Sequence, residues 1–304
     1  MARPRISVFA ACLSIALTAG CGSSNPLPGA SSGGGGGNGG GSSGSMSGAG
    51  TGGVRACDGP GYPSHSPAIE IDEVNAQLSD PSGTPVPDLA VQVCGLDICL
   101  NGSTDAQGKT RVTPREALLS PAFKYGDGFE FAKLAAKLSD QPTQDLGALV
   151  ALPLPSYAEG APFPTAGDVS NGDVTLSLAP GSKIAHDLLT YTDDAELVFR
   201  SVPIPIAASA RALDPSFGFE LAYALAPVST TFCPPAELRL KNSLGWAPHT
   251  AVEVFVQGLE VDEEFAPYGD WTKVADASVS DDGREIDSSS GGIPILSSLA
   301  LRRK

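Results

Sequence analysis

The chain has 304 residues, of which 41% are hydrophobic, and its formal net charge is −15 at pH 7. A surface this acidic repels nucleic-acid phosphates and anionic lipid head groups, so the composition excludes nucleic-acid binding and attachment to a membrane through a basic patch. The 26 prolines are spread between short apolar runs. Because proline breaks helix interiors, this pattern favours many short strands.

The first 20 residues have the parts of a secretory signal peptide. Arg3 and Arg5 precede an apolar run over residues 6–16, which is too short to span a bilayer. Residues 17–21, Leu-Thr-Ala-Gly-Cys, resemble the lipobox of bacterial lipoproteins. The resemblance implies that Cys21 begins the mature chain and carries S-diacylglycerol and an N-acyl chain such as palmitate. Gly22 stands where the inner-membrane retention signal has Asp, so the resemblance also implies the outer membrane.

Glycine and serine dominate the segment from Cys21 to residue 56. Such a segment cannot bury a core, so we predict a disordered, flexible tether between the lipid and the folded region. The membrane is then a partner through the lipid alone.

Four cysteines remain after Cys12 in the signal and Cys21 at the anchor: Cys57, Cys94, Cys99 and Cys233. An even number in an exported chain indicates two disulfides. A tight strand reversal can join Cys94 to Cys99, which leaves Cys57 to pair with Cys233. A zinc site is the alternative, but the histidines are scattered instead of clustered with the cysteines.

Residues 57–115 are predicted to form a first module, with strands over 69–72, 74–78, 91–94 and 110–112 and turns at 80–83 and 104–109. The phrases Gly83-Thr84-Pro85-Val86-Pro87-Asp88-Leu89-Ala90-Val91 and Thr104-Asp105-Ala106-Gln107-Gly108 resemble the carboxypeptidase-regulatory-like, transthyretin-type β-sandwich. The resemblance covers residues 70–113 and implies a scaffold without a particular activity.

Residues 116–304 are predicted to form a second β module, the two modules meeting somewhere in 114–170. Residues 131–138 fit helical spacing but follow an alternating stretch, so helix and strand both remain open there. Alternation predicts strands farther on, among them 174–178, 217–225, 236–240 and 251–256, with a hairpin turn at 281–283.

The second module also resembles the ZU5-type β modules of bacterial surface proteins. The resemblance is carried by residues 176–181, 219–227, 233–236, 242–256 and 279–294. It implies a secreted, non-enzymatic module. The predicted fold class is therefore all-β, with two β-sandwich-like modules after a signal peptide and a disordered Gly/Ser linker.

No catalytic signature is found in the sequence. It lacks a nucleophile elbow in its folded part, a zinc-protease helix motif, a phosphate-binding loop and a dinucleotide fingerprint. Carboxylates cluster at 193–194, 262–264 and 281–282 and could ligate Ca²⁺, but none has EF-hand spacing, and solvated turns are the favoured interpretation. We therefore predict no enzyme activity, no catalytic residue, no metal site and no cofactor beyond the lipid.

Trp246, Tyr268 and Trp271 occur in loop-like contexts beside glycine, proline or aspartate. Exposed aromatic rings there could stack on a sugar, which makes these three residues candidate ligand-binding positions. The alternative, which the sequence favours for the two tryptophans, is that they cap the core.

These features together predict a non-enzymatic, lipid-anchored protein of the cell envelope. Its folded modules would serve structural, adhesive or binding roles toward an envelope or extracellular protein or glycan, facing the periplasm or the cell exterior. The alternatives are a carbohydrate-binding accessory protein and an envelope hydrolase with an unrecognised motif.

Overall fold

The computed structural model describes Cys57, residues 59–62 and residues 67–304. The predicted signal peptide (1–20), the lipidated Cys21 and the tether up to residue 56 lie outside the described residues.

Nine strands form the first part of the fold. They are β1 (Ile69–Ile71), β2 (Glu73–Ser79), β3 (Ala90–Cys94), β4 (Cys99–Ser103), β5 (Lys109–Val112), β6 (Glu116–Leu118), β7 (Ala122–Tyr125), β8 (Leu134–Lys137) and β9 (Thr143–Val150). One sheet has the order β5-β2-β9, with β2 parallel to β9, and the other has the order β4-β3-β7-β8. A small antiparallel pair joins β1 to β6.

The second part is a larger sheet. Its strands are β10 (Ala161–Pro162), β11 (Gly167–Asn171), β12 (Val174–Leu178), β13 (Lys183–Ala185), β14 (Val198–Pro203), β15 (Leu221–Ala226), β16 (Thr231–Lys241), β17 (Ala251–Gln257), β18 (Trp271–Val279), β19 (Glu285–Gly291), β20 (Ile293–Ile295) and β21 (Ser298–Arg303). The order is β10-β14-β15-β21-β17-β18-β19-β16-β12-β11, and β13 and β20 also pair with β16.

The all-β prediction is confirmed. The helical elements described are one short α-helix, Ala210–Leu213, and three 3-10 turns, Tyr157–Glu159, Asp194–Glu196 and Pro215–Phe217. The large sheet curls until it is nearly closed. Its interior is filled by one apolar cluster that includes Leu176, Phe199 and Leu240.

The ambiguous stretch 131–138 contains strand β8, and the reason is tertiary. Leu134, Ala135 and Ala136 are consecutive and all buried. Leu134 and Ala136 belong to the first-part core, whereas Ala135 belongs to a separate cluster with Val228 and Leu259. A strand covered on both faces loses the alternation that identifies a half-buried strand, and this is why the sequence pattern resembled a helix.

Strand pairing crosses the predicted module boundary at residue 115. β7 pairs with β3, and β9 pairs with β2 along most of its length. The sheets of the first part therefore extend to Val150, and residues 116–150 belong with them instead of with the second module.

The two parts share a buried core. Phe219, Phe255 and Trp271 of the second part fall in the same apolar cluster as the interior of the first part. The ring of Phe219 lies 5.3 Å from that of Phe255 and 4.9 Å from that of Trp271, measured between centroids. Gln257 joins the parts further, since its side-chain amide donates to the carbonyl of Ala135 at 2.8 Å. All described residues accordingly fall in one compact unit.

The strand predicted for 217–225 begins later than expected. Pro215–Phe217 forms a 3-10 turn, and the Asp214 carboxylate accepts the backbone N–H of Ser216 at 3.0 Å. Gly218 then takes a left-handed conformation, with φ of 67°, which an extended strand does not allow. The regular strand therefore begins at Leu221.

Asn171 connects the two ends of the large sheet. Its Oδ1 accepts the backbone N–H of Ser201 at 2.8 Å, and its Nδ2 donates to the carbonyl of Glu159 at 2.8 Å. Its own carbonyl accepts the Ser201 hydroxyl at 2.5 Å. One side chain thus links β11, β14 and the turn before β10.

The substitution Asn171→Ala is expected to lower the free energy of unfolding by about 1–2 kcal/mol, because two side-chain hydrogen bonds are lost, one of them partly buried, and their partners stay in place. Chemical denaturation measures the change. Asn101→Ala is the matched control, since its one side-chain bond, to Gln92, is exposed. An equal loss of stability in both variants contradicts the role of Asn171 at the sheet ends.

Candidate functional site

A cleft of about 240 Å³ opens in the second part of the fold. It is lined by residues 257–260 and 262–266, by Val228, Ser229 and Thr231, by residues 295–297 and by Asp187. We call residues 259–266 the acidic loop, because Glu260, Asp262, Glu263 and Glu264 follow one another closely, and we call the whole depression the acidic cleft.

The acidic loop is held in a defined conformation. Glu263 is buried with φ of 50°, and its carboxylate accepts the backbone N–H of Tyr268 at 2.7 Å. The Ser229 hydroxyl donates to Glu260 Oε1. At the base of the loop, Gly258 leaves no room for a β-carbon against the carbonyl of Pro267. These contacts hold the carboxylates of Glu260 and Glu263 in defined positions.

Asp187, which also lines the cleft, belongs to a tight turn over residues 186–191, here called the leucine turn. Asp187 Oδ1 accepts the backbone N–H groups of Leu189 at 3.1 Å and Thr190 at 3.3 Å. Hydrogen bonding from Thr190 is the largest cause that holds the pKa of Asp187 below its usual value. Tyr191 anchors the end of the turn, since its buried hydroxyl accepts the backbone N–H of Val228 at 2.8 Å.

The start of the turn is anchored by His186. Its Nδ1 lies 3.0 Å from the hydroxyl of Thr230, and partial burial lowers its pKa. Thr230 is 0% exposed. This histidine–hydroxyl pair therefore offers no nucleophile to a substrate, and its role in the structure is to hold the turn.

The first described residues of the chain border the acidic loop. Gly59 N–H donates to Glu264 Oε1 at 3.3 Å, and Gly61 N–H donates to the Glu264 carbonyl at 3.2 Å. The Tyr62 hydroxyl donates to the carbonyl of Phe265 at 3.4 Å. The segment that follows the predicted tether is thus held against the folded region at this loop.

Most of the cleft carboxylates have no counter-ion. Within the part of the chain that the structure describes, no basic side chain reaches ion-pair distance of Asp187, Glu260, Asp262 or Glu264. Some acids elsewhere are ion-paired, for example Glu220 with Arg303 at 2.7 Å. The unpaired charges give the acidic cleft a negative potential that a cationic group would neutralise.

Lys124 approaches the cleft from the first part of the fold. It is 7% exposed, and its Nζ donates to the carbonyl of Leu259 at 3.5 Å and lies 5.2 Å from the centre of the Tyr268 ring. Burial and, to a lesser extent, the charge of Lys133 lower the pKa of Lys124 to about 8, and Glu260 opposes the change. The single charge of Lys124 therefore offsets only part of the negative charge of the acidic cleft.

The structure pairs the cysteines as the sequence predicted. Cys94 and Cys99 face each other across β3 and β4 and form one disulfide, and Cys57 and Cys233 form the other. Cys21, the predicted lipidation position, lies outside the described residues. The second disulfide holds the start of the described chain to β16.

The predicted aromatic ligand positions are corrected by the structure. Trp246 is 7% exposed, Tyr268 is 1% exposed and Trp271 is 6% exposed. Trp246 packs in the core of the large sheet, and the Trp271 indole N–H donates to the carbonyl of Ala212 at 3.2 Å. Rings buried to this degree present no face on which a sugar could stack. The core of the large sheet covers Trp246, and packing between the two parts covers Tyr268 and Trp271, so the core interpretation favoured for the two tryptophans is the one that the structure supports.

The other polar clusters of the described region offer no further candidate site. His249 and Asp281 are both largely exposed, with 3.6 Å between His249 Nδ1 and Asp281 Oδ1. Among the residues described, no group of three or more His, Cys, Asp or Glu side chains is arranged to hold a metal ion. A helix long and apolar enough to cross a membrane is also not found in the described ranges.

The carboxylate cluster at 262–264 is visible in the sequence, but its proximity to Asp187 and Lys124 is not. These residues are distant in sequence, and only the fold brings them to one cleft. The doublet Leu188-Leu189 beside an aspartate was an available signal for an exposed turn. No protein-family model matches the sequence, and no curated protein matches it.

Proposed function

We propose that this chain is a non-enzymatic lipoprotein of the bacterial cell envelope, anchored in the outer membrane through lipid on Cys21. The observation that carries the proposal is the ending Leu17–Cys21 of a short apolar run that follows Arg3 and Arg5. The tether would hold the folded region away from the membrane, where it would serve a structural, adhesive or binding role.

Three further observations support this proposal. Two disulfides suit an oxidising compartment outside the cytoplasm. One of them, together with the contacts of Gly59 and Gly61, ties the start of the folded region to the body of the protein at the point where the tether ends. The strands predicted over 69–112 are present, which is compatible with the proposed carboxypeptidase-regulatory-like module, and the second part is proposed as a ZU5-like module.

The substitution Cys21→Ser is expected to abolish incorporation of labelled palmitate and to move the protein from the membrane fraction to the soluble fraction. The thiol of Cys21 is the acceptor of the lipid in this proposal, and a hydroxyl does not replace it. Growth with labelled palmitate, followed by fractionation and immunoblotting, measures both effects.

Cys12→Ser is the matched control, because it removes a thiol from the predicted signal peptide and leaves the anchor intact. Palmitate labelling that persists in Cys21→Ser, or wild-type protein without lipid, contradicts the proposal.

The direction in which the protein faces is measured by protease treatment of intact cells, with a periplasmic marker as the control. Cleavage in intact cells supports an exterior, adhesive role. Cleavage only after the envelope is permeabilised supports a role inside the periplasm.

A further inference from the structure

The leucine turn exposes the two most solvent-accessible large apolar side chains of the described region. Leu188 is 65% exposed and Leu189 is 96% exposed. Val261, at the tip of the acidic loop, is 44% exposed. Asp187, Glu260 and Asp262, the sequence neighbours of these three side chains, line one cleft. Exposed apolar side chains that border one depression mark interaction sites more often than single exposed residues do.

The exposed leucines are held in place by the structure around them. The carboxylate of Asp187 caps the turn, His186 is bonded to Thr230, and buried Tyr191 is bonded to Val228. A turn that is already ordered loses little conformational entropy when a partner binds, so more of the contact energy contributes to affinity.

The charge beside these leucines indicates what kind of partner fits. Asp187 adjoins Leu188, and Glu260 and Asp262 flank Val261. These carboxylates line the acidic cleft without ion pairs among the described residues. Apolar side chains bordered by unpaired negative charges are complementary to apolar side chains bordered by lysine or arginine.

The same charges disfavour binding of the leucine turn to a membrane. If the leucines inserted into a bilayer, the neighbouring carboxylates would be brought close to anionic head groups, which repel them. Two lysines influence the groups of the cleft. One is Lys124, which is buried, and the other is Lys133, whose charge contributes in a small degree to lowering the pKa of Asp187. Neither reverses the excess of negative charge.

We infer that the leucine turn and the acidic cleft form a docking surface for a protein segment in which apolar side chains alternate with lysine or arginine. Leu188, Leu189 and Val261 supply the apolar contact, and Asp187, Glu260 and Asp262 receive the cations. This inference goes beyond lipid anchoring and does not depend on it.

The test selects phage-displayed random short peptides on the purified chain from residue 21 onward, with Cys21→Ser to keep it unacylated. The expected result is enrichment of peptides in which leucine, isoleucine or phenylalanine lies between basic residues. The affinity of one synthetic selected peptide is then measured by fluorescence polarisation. The double variant Leu188→Ser/Leu189→Ser is expected to bind it at least roughly tenfold more weakly, since two leucines lose their contact.

The charge contribution is tested with Asp187→Asn and Asp262→Asn. The asparagine introduced by Asp187→Asn keeps a side-chain oxygen that can cap the turn, so the loss of binding, expected to be several-fold, reports charge and not unfolding. The difference in peptide affinity between wild type and these variants should become smaller at high salt, because salt screens the charge interaction. Leu244→Ser, whose leucine is 49% exposed in another loop, and Asp281→Asn are the matched controls and are expected to bind as wild type does. Unchanged melting temperatures verify folding.

Two outcomes overturn the inference. One is the absence of peptides whose binding depends on the two leucines. The other is binding to phosphatidylglycerol-containing vesicles that is lost in the double leucine variant while no peptide is selected, which assigns the turn to a membrane instead. Because the assay is done in solution without the lipid, its failure is distinguishable from failure of the anchoring proposal.

Discussion

The double variant Cys57→Ala/Cys233→Ala is expected to lose about 5 kcal/mol of unfolding free energy relative to wild type, the larger effect of the two disulfides in the described residues. The two cysteines are 176 residues apart in sequence, and their Cα atoms are 5.2 Å apart in the fold. In the chain-entropy model, a cross-link that closes so long a loop restricts the unfolded chain strongly, and its removal restores that freedom. Chemical denaturation under oxidising conditions measures the difference.

The variant Cys94→Ala/Cys99→Ala is the internal comparison. Its cysteines are five residues apart, so the same model gives a loss of about 2 kcal/mol. Wild-type protein treated with reductant should combine both losses. Equal effects of the two disulfides, or a larger effect of the short one, contradict the loop-length argument. Loss of the long disulfide is also expected to free Gly59–Tyr62 from the acidic loop, which hydrogen exchange would detect.

Arg200→Met is expected to lower the free energy of unfolding by about 4 kcal/mol, because it removes the guanidinium donor from three buried or partly buried carbonyls. Arg200 is 1% exposed, and its guanidinium donates to the carbonyls of Phe129 at 2.7 Å, Pro155 at 3.2 Å and Gly128 at 3.3 Å. It also lies over the ring of Tyr157, 4.1 Å from its centre. The arginine therefore joins β14 of the large sheet to the loops that surround the first part.

The expected loss of stability arises from the backbone carbonyls that remain after the Arg200 guanidinium is removed. A buried ion pair can sometimes be replaced by apolar residues without loss, but the partners of Arg200 are backbone carbonyls, which a substitution cannot remove. Methionine fills most of the volume but leaves the carbonyls of Phe129 and Pro155 without this donor and the carbonyl of Gly128 with only the Tyr191 hydroxyl at 3.5 Å. Each group left unsatisfied costs roughly 1–3 kcal/mol. Urea denaturation and thermal melting measure the loss.

Arg284→Met is the control for Arg200→Met. The Arg284 side chain is 84% exposed, and its ion-pair partner is Asp282. Exposed ion pairs contribute little, so this variant is expected to stay within about 0.5 kcal/mol of wild type. A change below about 1 kcal/mol for Arg200→Met refutes the proposed junction.

Local patterns predicted most strands, because a half-buried strand alternates apolar and polar residues. β2 and β12 follow this rule, and the predicted turns at 80–83 and 281–283 are present in the structure. The prediction was ambiguous at β8 and wrong at Phe217–Glu220. At β8 both faces are buried, and at Phe217–Glu220 a proline turn and a left-handed glycine interrupt a sequence that alternates.

The candidate site was less predictable than the fold. Asp187 and Glu260 are 73 positions apart in sequence, and nothing local indicates that they line one cleft. The speculative ligand-binding role of the aromatic residues is not supported, whereas the favoured core interpretation of the two tryptophans is; loop-like neighbours do not reveal burial. Trp271 follows glycine and aspartate, as surface residues often do, yet the core shared by the two parts covers its ring.

The sequence by itself determined the all-β class, the even set of four cysteines and the lipobox that motivates the anchoring proposal, because strand alternation, residue counts and contiguous motifs are properties of neighbouring residues. The tertiary structure decided that the first sheets continue to Val150, that Arg200 and Trp271 are buried, and that Leu188 and Leu189 stand exposed beside carboxylates without ion-pair partners among the described residues. Burial and charge pairing depend on which distant segments pack together, and that packing is fixed only when the whole chain has folded.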